Sequence, residues 1–492
     1  MTPLGSLPDI FRRVNLLARR EARPVYVVGG YLRDWLLGES EEQDIDFVVD
    51  GSGLEFARAF DAAVGQQGSL VEFEQFDTAR YVIPDLGSAG REVVLEFAGA
   101  RTEAYHPASR KPRVESATLA EDLARRDFTV NSLAAPVAAF AGRRPLTLAG
   151  LRRQLIDPLN GQADLEQKIL RTPLDPQVTF REDPLRMLRA ARFAAQLHFG
   201  IARETLQAMH EERARLAIVS AERLQDELLR LLATPRPSVG LVILFQTGLL
   251  DLILPEVAAL DGVEEIYGHQ HKNNLVHSFK VVDNIAGEAA DVWLRLAGLL
   301  HDIGKPGTKR FMPRLGWTFH AHEHLGRKLV RALGRRLRFP VERIEYLARL
   351  IRWHMQPIQL MDEGITDAAV RRLVVTLGPE LEDLLILGRS DVTTGNPYKR
   401  AARLKNYERL KTRIAAVIAK DKLRAFQSPV RGEEIMAESG LKPGPTVGKI
   451  KEAIEEAILD GKIPNEYQAA HDYFKTIKDQ FIAQAAEWEK RN

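Results

Sequence analysis

The segment from Val25 constrains the fold most. VYVVGGYLRDWLLGESEEQDIDFVVDG sets in succession a short β-branched run, a glycine pair, an amphipathic turn, an acidic loop and a second β-branched run. That order predicts strand, helix, strand. Apolar runs at Ser69–Phe73, Ala79–Ile83 and Glu92–Phe97, separated by glycine-bearing turns, extend it into a small mixed sheet ending near residue 140. After Pro158 the chain changes character. Segments rich in Leu, Ala, Arg and Glu with helical spacing run to the C-terminus, punctuated by Pro235, Pro237, Pro255, Pro340 and Pro379. The expected class is α+β: a head with a mixed sheet, then an all-helical remainder. The 492 residues suffice for about three domains.

Composition narrows the chemistry. With no cysteine, disulfide frameworks and thiolate metal sites are excluded, so any metal must be held by His, Asp or Glu. The longest apolar stretch, Leu241–Leu254, is interrupted by Gln246, Gly248 and Asp251 and is too short to span a bilayer, which predicts a cytoplasmic protein without a membrane partner. Lys and Arg number 69 against 67 Asp and Glu, a net charge of +2 that by itself suggests no polyanionic partner. The charge is clustered, however: nine basic residues fall between Arg327 and Arg352 and eleven between Lys399 and Arg431, with two acidic residues in each stretch. Such stretches are either solvated helix faces or phosphate-binding surfaces, and the second case predicts RNA affinity that falls steeply with salt.

Asp44 and Asp46 stand two apart at the start of a β-branched run, so on a strand both carboxylates project from one face. Paired carboxylates repel unless a cation lies between them, and oxygen ligands suit Mg²⁺, which takes phosphates as further ligands. Glu96, within the run 93–97, could face the same point from a neighbouring strand. Gly29-Gly30 precedes a helix whose backbone N–H groups can approach a triphosphate without interference from a Cβ, and Arg33 and Asp34 follow on that helix. The pair fits neither a dinucleotide fingerprint nor a P-loop, and Gly448-Lys449-Ile450 lacks the hydroxyl residue of a P-loop.

Gly29-Gly30-Tyr31-Leu32-Arg33-Asp34 followed by Asp44-Ile45-Asp46 resembles the first motif of the class II nucleotidyltransferases, the tRNA CCA-adding enzymes and bacterial poly(A) polymerases of the polymerase-β-like superfamily. Arg125 to Ser132 resembles the family's ribose-recognition motif, with Ser132 where the family usually has Ala. Glu182-Asp183-Pro184-Leu185-Arg186 resembles its base-recognition motif, and Arg189-Ala190-Ala191-Arg192-Phe193 the helix motif that follows. The resemblance implies Asp44, Asp46 and Glu96 as catalytic carboxylates with Mg²⁺ on the first two, and Gly29, Gly30, Arg33, Arg126, Asp127, Asn131, Asp183, Arg186, Arg189 and Arg192 as nucleotide-binding residues. The residue chemistry agrees. Thr118 and Glu121 spell a capping box leading into Arg125 and Arg126; Asp127 can accept from a ribose hydroxyl and Arg126 can meet phosphate. Asp183 and Arg186, one helical turn apart, offer an acceptor beside a donor, which matches the pairing edge of cytosine and adenine and mispairs with uracil and guanine. The stretch Arg101–Arg113 resembles the flexible loop that CCA-adding enzymes use in switching from C to A.

A second constellation begins at His277. His301-Asp302, after an apolar helix, supply an imidazole and a carboxylate at one point, and His277 and Asp391 can complete a four-ligand set. His322 and His354 could hold a second ion, with His320 or His324 as substitutes for His322; the spacing is not that of an HExxH helix. These residues resemble the HD phosphohydrolase domain, in which Lys305 matches a lysine beside the metal, here a divalent transition metal or Mg²⁺. The resemblance divides the chain into a nucleotidyltransferase head (1–145), helical neck and body (146–265), HD domain (266–400) and helical tail (401–492).

The leading expectation is an enzyme that adds CCA to tRNA 3′ ends from CTP and ATP without a nucleic-acid template. The nearest competitor is a poly(A) polymerase or an A-adding enzyme. From other classes come a phosphohydrolase whose head only binds RNA, and a non-catalytic RNA-binding protein.

Overall fold

The structure is a computed structural model and describes residues 4–39, 44–86, 91–104, 113–142, 146–266, 269–270, 273–363, 365–421 and 428–488. The chain divides into two compact units, one formed by 1–231 with 239–253 and the other by 232–238 with 254–492.

The first unit is built on a six-stranded sheet. Helix α1 (Leu7–Glu21) leads to β1 (Val25–Val28), α2 (Gly29–Leu37), β2 (Asp44–Val49), α3 (Gly53–Val64), β3 (Ser69–Phe73), β4 (Thr78–Leu86) and β5 (Arg91–Gly99). A two-stranded ribbon of β6 (Arg101–Ala104) and β7 (Arg113–Ser116) follows, then α4 (Leu119–Ala124) and β8 (Ala134–Pro136). The sheet order is β3-β4-β5-β2-β1-β8, mixed as expected: β2 and β5 run parallel, and the other pairs antiparallel.

Alternation along the strands decides which side chains become available for chemistry. On one face Phe47 and Phe97 stack at 5.1 Å, and Phe56 and Phe60 of α3 lie 5.5 and 5.4 Å from Phe97. All four rings are buried. This greasy face fixes the register, because a slip of one residue would turn it to solvent and bury the acids. The opposite face therefore carries Asp44, Asp46 and Glu96. The register sets Val28, Asp46, Glu96 and Arg80 in one row across β1, β2, β5 and β4.

Beyond the sheet the unit is largely helical. The capping box at Thr118 and Glu121 forms as spelled and starts α4. Helices Pro176–Glu182 and Leu185–Leu197 are separated by Asp183-Pro184, where the proline offers no N–H to continue the first ladder.

The second unit is a helical assembly with a correction to the all-helical expectation. Arg310–Met312 and Gly316–Thr318 pair as an antiparallel hairpin, and Glu265–Ile266 pairs with His269–Gln270. These strands are too short to leave a periodic signal; Gly316, at φ +76, supplies the turn. Near the end of the chain Ile435, Ile450, Ile454, Ile458 and Phe474 bury a core among helices Gly432–Ser439, Pro445–Leu459 and Tyr467–Trp488. The basic stretches are partly neutralised by acids, one within the first stretch and the others outside both. Arg331 pairs with Glu345, Arg336 with Glu256, Arg349 with Glu380, Lys411 with Glu382 and Arg413 with Asp367. Among the described residues no helix is long and apolar enough to cross a membrane.

Candidate functional site

In the first unit a cavity of about 460 Å³ opens over the acidic face of the sheet. Gly29, Gly30, Asp46 and Glu96 line one side, Arg126, Asp127 and Asn131 another, and Asp183, Arg186, Arg189 and Arg192 the rest. Asp44 sits on the same strand face at its exposed start. Burial raises the Asp46 carboxyl to about 6; Glu96 and Asp44 push the same way, and Arg126 opposes them. Glu96 is paired with Arg80 at 2.9 Å. Asp44, Asp46 and Glu96 thus share one face of adjacent strands, with Asp46 held above its ordinary value; carboxylate oxygens of this kind suit a hard divalent cation.

Gly29 is required by this arrangement. Its φ is +72, and a Cβ there would stand 2.5 Å from Asp46 Oδ2 and 3.4 Å from Arg126 Nη1. Gly29→Ala therefore combines a left-handed backbone penalty of about 1–2 kcal/mol with displacement of a carboxylate, and is expected to slow nucleotide incorporation by about 100-fold. Steady-state incorporation alongside a thermal melt checks both parts.

The arginines that line the cavity also hold one another's partners in place. Arg33 donates to both oxygens of Asp34 at 2.6 Å and to Asn131 Oδ1 at 2.8 Å; Asn131 in turn donates to Asp127 Oδ1 at 2.9 Å. Asp127 also accepts from the Phe128 backbone N–H at 2.9 Å and from Arg189 Nε and Nη2 at 2.9 and 2.6 Å. Asp127 thus accepts four hydrogen bonds within the chain, and a ribose hydroxyl at this carboxylate would share or displace one of these donors. Arg33, Arg189 and Arg192 surround the Phe193 ring at 5.3, 5.4 and 4.0 Å, and Arg192 pairs with buried Glu227. Arg126 is braced by Asp122 at 3.1 Å. Ser132 is buried and donates to the Phe128 carbonyl at 3.0 Å, so its hydroxyl is satisfied.

This network predicts acid sensitivity. Burial alone would raise Asp127, but Arg189 and the Asn131 hydrogen bond outweigh it and hold the carboxyl down to about 2, against 3.8 when unperturbed. A carboxyl lowered on folding contributes stability that is complete above its unfolded value and is lost as pH falls through its folded value. The stability difference between wild type and Asp127→Asn in urea denaturation is expected to be roughly 2 kcal/mol above about pH 4, closing toward pH 2.

Asp183 and Arg186 stand one turn apart, with the Arg186 N–H donating to the Asp183 carbonyl at 3.0 Å, but not within one regular helix. Asp183 is extended (φ −135, ψ 98) after the first helix ends, whereas Arg186 lies in the first turn of the next. Both still line the cavity. Asp183 pairs with Arg223 at 2.8 Å, and Arg186 donates to the Arg125 carbonyl at 2.6 Å. Asp122 and Arg223 also line the cavity without a signal in the sequence: Asp122 precedes the ribose-like motif, and Arg223, forty residues from Asp183, carries no local pattern.

In the second unit, ligand-type side chains gather from the ends of five helices. His277 lies in the first turn of Asn274–Ala286, and His301-Asp302 end Val292–Leu300. His322 begins His322–Arg336, His354 ends Val341–Trp353, and Asp391 ends Leu381–Ser390. Two groups result, His277 with His301 and Asp302, and Asp302 with His322 and His354, so Asp302 belongs to both. Asp391 joins the first group, 2.9 Å from His277 Nε2. His320 and His324 are exposed and do not substitute for His322.

The imidazoles are oriented from behind. Nδ1 of His301, His322 and His354 lies 2.8, 2.8 and 2.7 Å from the carbonyls of Gly298, Phe319 and Ile351. A carbonyl only accepts, so each Nδ1 carries a proton and donates, leaving Nε2 to face inward. His322 and His354 then oppose Nε2 lone pairs at 3.1 Å, and buried His301 Nε2 has no hydrogen-bond partner. Burial, together with His301, lowers His354 to about 4, which keeps it neutral. Opposed lone pairs, an orphaned ring nitrogen and two carboxylates, Asp302 buried and Asp391 partly so, are what a pair of divalent cations would satisfy. Lys305 Nζ is 2.6 Å from Asp302 Oδ2.

Comparison with known proteins decides the family. Residues 25–171 match the family model described as the poly A polymerase head domain, 198–260 the probable RNA and SrmB-binding site of polymerase A, and 274–421 the HD domain. The A-adding tRNA nucleotidyltransferase of Deinococcus radiodurans is 33% identical over 460 residues, covering 90% of this chain and 93% of that one. The chain belongs to the tRNA nucleotidyltransferase and poly(A) polymerase family.

Other relatives span the activities of these nucleotidyltransferases. The CC-adding tRNA nucleotidyltransferase of Thermus thermophilus is 33% identical over 459 residues (91% of this chain, 92% of that one). The multifunctional CCA protein of Pseudomonas fluorescens is 36% identical over 335 residues (64% and 71%). The fold matches that of the Bacillus stearothermophilus CCA-adding enzyme solved with CTP, at TM-score 0.62 and 21% identity over 99% of this chain and all of that one. In this nucleotidyltransferase the head sheet and the HD-type cluster lie in separate units.

Proposed function

We propose that this chain adds CCA to the 3′ ends of tRNA, using CTP and ATP and no nucleic-acid template, and that its HD domain is a metal-dependent phosphohydrolase acting on phosphate esters such as 2′,3′-cyclic phosphates. The observation that carries the first reading is that the carboxylate row and the cytosine- and adenine-matching pair, Asp183 and Arg186, line one cavity. Asp44 and Asp46 would hold Mg²⁺, which when bound supplies charge neutralisation for the triphosphate and lowers the pKa of the attacking 3′-hydroxyl. Glu96 helps to position that hydroxyl from the adjacent strand. Gly29 and Gly30 admit the triphosphate close to the backbone, and Arg126 meets a phosphate. Arg33, Asp127, Asn131, Arg189 and Arg192 keep the opposite wall rigid, so nucleotide and hydroxyl meet with little reorganisation.

In the second centre His277, His301, Asp302 and Asp391 would hold one divalent transition metal or Mg²⁺, and His322 and His354 with Asp302 a second. Lys305 is placed to polarise a phosphate oxygen. The four-part division at 145, 265 and 400 and a cytoplasmic location belong to the same reading.

A-only addition is the second reading, favoured by the full-length likeness to an A-adding relative. Arg101–Arg113, which resembles the C-to-A switching loop, argues against addition of CC alone and does not separate CCA addition from A-only addition; residues 105–112 lie outside the described residues, and β6 and β7 flank them. Incubation of the protein with tRNA lacking CCA and labelled CTP alone, ATP alone or both separates the readings. Incorporation of C from CTP alone and of A only after C is expected; no C from CTP would sink CCA addition.

A further inference from the structure

We infer that Arg223 is a positioning residue that holds the Asp183 carboxylate apart from Arg186, and thereby carries part of the discrimination for cytosine and adenine over uracil and guanine. The inference rests on the nucleotidyl-transfer reading above. Asp183 lies between two helices on extended backbone, where no ladder of its own orients its side chain. Two contacts set that orientation: Arg223 Nη2 donates to Oδ2 at 2.8 Å, and the Leu185 N–H to Oδ1 at 3.2 Å. Arg186 is anchored separately, by the carbonyls of Arg125 at 2.6 Å and Thr179 at 3.4 Å and by Glu182 at 3.3 Å. The two base-reading groups are therefore held from behind by different partners and make no ion pair with each other.

That separation matters chemically. A base edge with an amino donor beside a ring-nitrogen acceptor needs an unspent carboxylate oxygen lone pair next to an unspent guanidinium N–H. Of the neighbouring guanidinium groups, Arg181 is paired with Glu212 and Arg189 with Asp127, which without Arg223 leaves Arg186, three residues on, as the partner close in sequence. Pairing Asp183 with it would cancel acceptor against donor and leave a template with no preferred edge. Arg223 is itself half exposed, at 54%, on helix Ala221–Leu232, so its removal leaves the core of that helix untouched.

The test is incorporation of each of CTP, ATP, UTP and GTP into tRNA lacking CCA, by wild type, Arg223→Met and Arg223→Lys. Arg223→Met is expected to lower kcat/KM for CTP and ATP by about 10- to 100-fold while changing UTP and GTP by less than about threefold, so that selectivity shrinks. Arg223→Lys should recover most of it. An equal loss for all four nucleotides, or no change, overturns the role of Arg223 while leaving the function reading intact. Wild-type protein that incorporates nothing overturns both.

Discussion

Asp46→Ala should reduce incorporation of CMP and AMP into tRNA by at least about 10³-fold, several kcal/mol of transition-state stabilisation, while hydrolysis at the histidine-rich centre continues. The expectation follows from position. Asp46 is the middle of the row Val28, Asp46, Glu96, with Gly29 packed so closely that even a methyl group would collide with its carboxylate. Its carboxyl is pushed up to about 6 by burial and by Glu96 and Asp44, a shift that a bound cation would reverse. Asp46→Asn keeps the shape and removes the charge, so an equally deep loss in that variant assigns the effect to charge. Incorporation and cyclic-phosphate hydrolysis measured on the same preparation check both halves. Hydrolysis unchanged in Asp46→Ala, with no incorporation even by wild type, would support the reading in which the head only binds RNA.

Asp302→Ala should be the most damaging change in the second unit, because this carboxylate belongs to both ligand groups. Metal content after dialysis is expected to fall from two ions per chain to none, and hydrolysis by about 10³-fold. His354→Ala, which touches only one group, should remove one ion. Chelation provides a second measurement. His301 Nε2 is buried without a hydrogen-bond partner, and His322 and His354 oppose their Nε2 atoms, so the metal-free centre carries unsatisfied polar atoms. Metal present at 100 times its Kd should raise the stability of this unit by about 2.7 kcal/mol, lost on adding chelator. Equal melting curves with and without chelator would argue that the cluster holds no metal.

Much of both centres was legible because local periodicity carries it. Two aspartates two apart on a strand share a face whatever the rest of the fold does, and Thr118 with Glu121 spells a cap that needs only its own turn. The histidines were legible by type and order; that His322, and not His320 or His324, joins the cluster depended on how the helix at His322 begins. Asp183 and Arg186 lie three apart, as their spacing implies, with the Arg186 N–H donating to the Asp183 carbonyl at 3.0 Å; that Asp183 is extended, outside the helix that carries Arg186, depended on Pro184 ending the preceding helix.

By itself the sequence determined the alternation that turns Asp44, Asp46 and Glu96 away from the aromatic core, the absence of thiolate chemistry, and the residue types available to each centre. These follow from backbone geometry and composition. Tertiary structure alone decided which charges are spent on one another. Asp127 accepts from Arg189, Asn131 and Phe128, partners no sequence pattern names. The basic run from Arg327 to Arg352, dense along the chain, meets Glu256 and Glu380 brought in by folding. Ion pairing depends on distance in space, and charges separated by thirty to eighty residues come within 4 Å only when the helices that carry them pack.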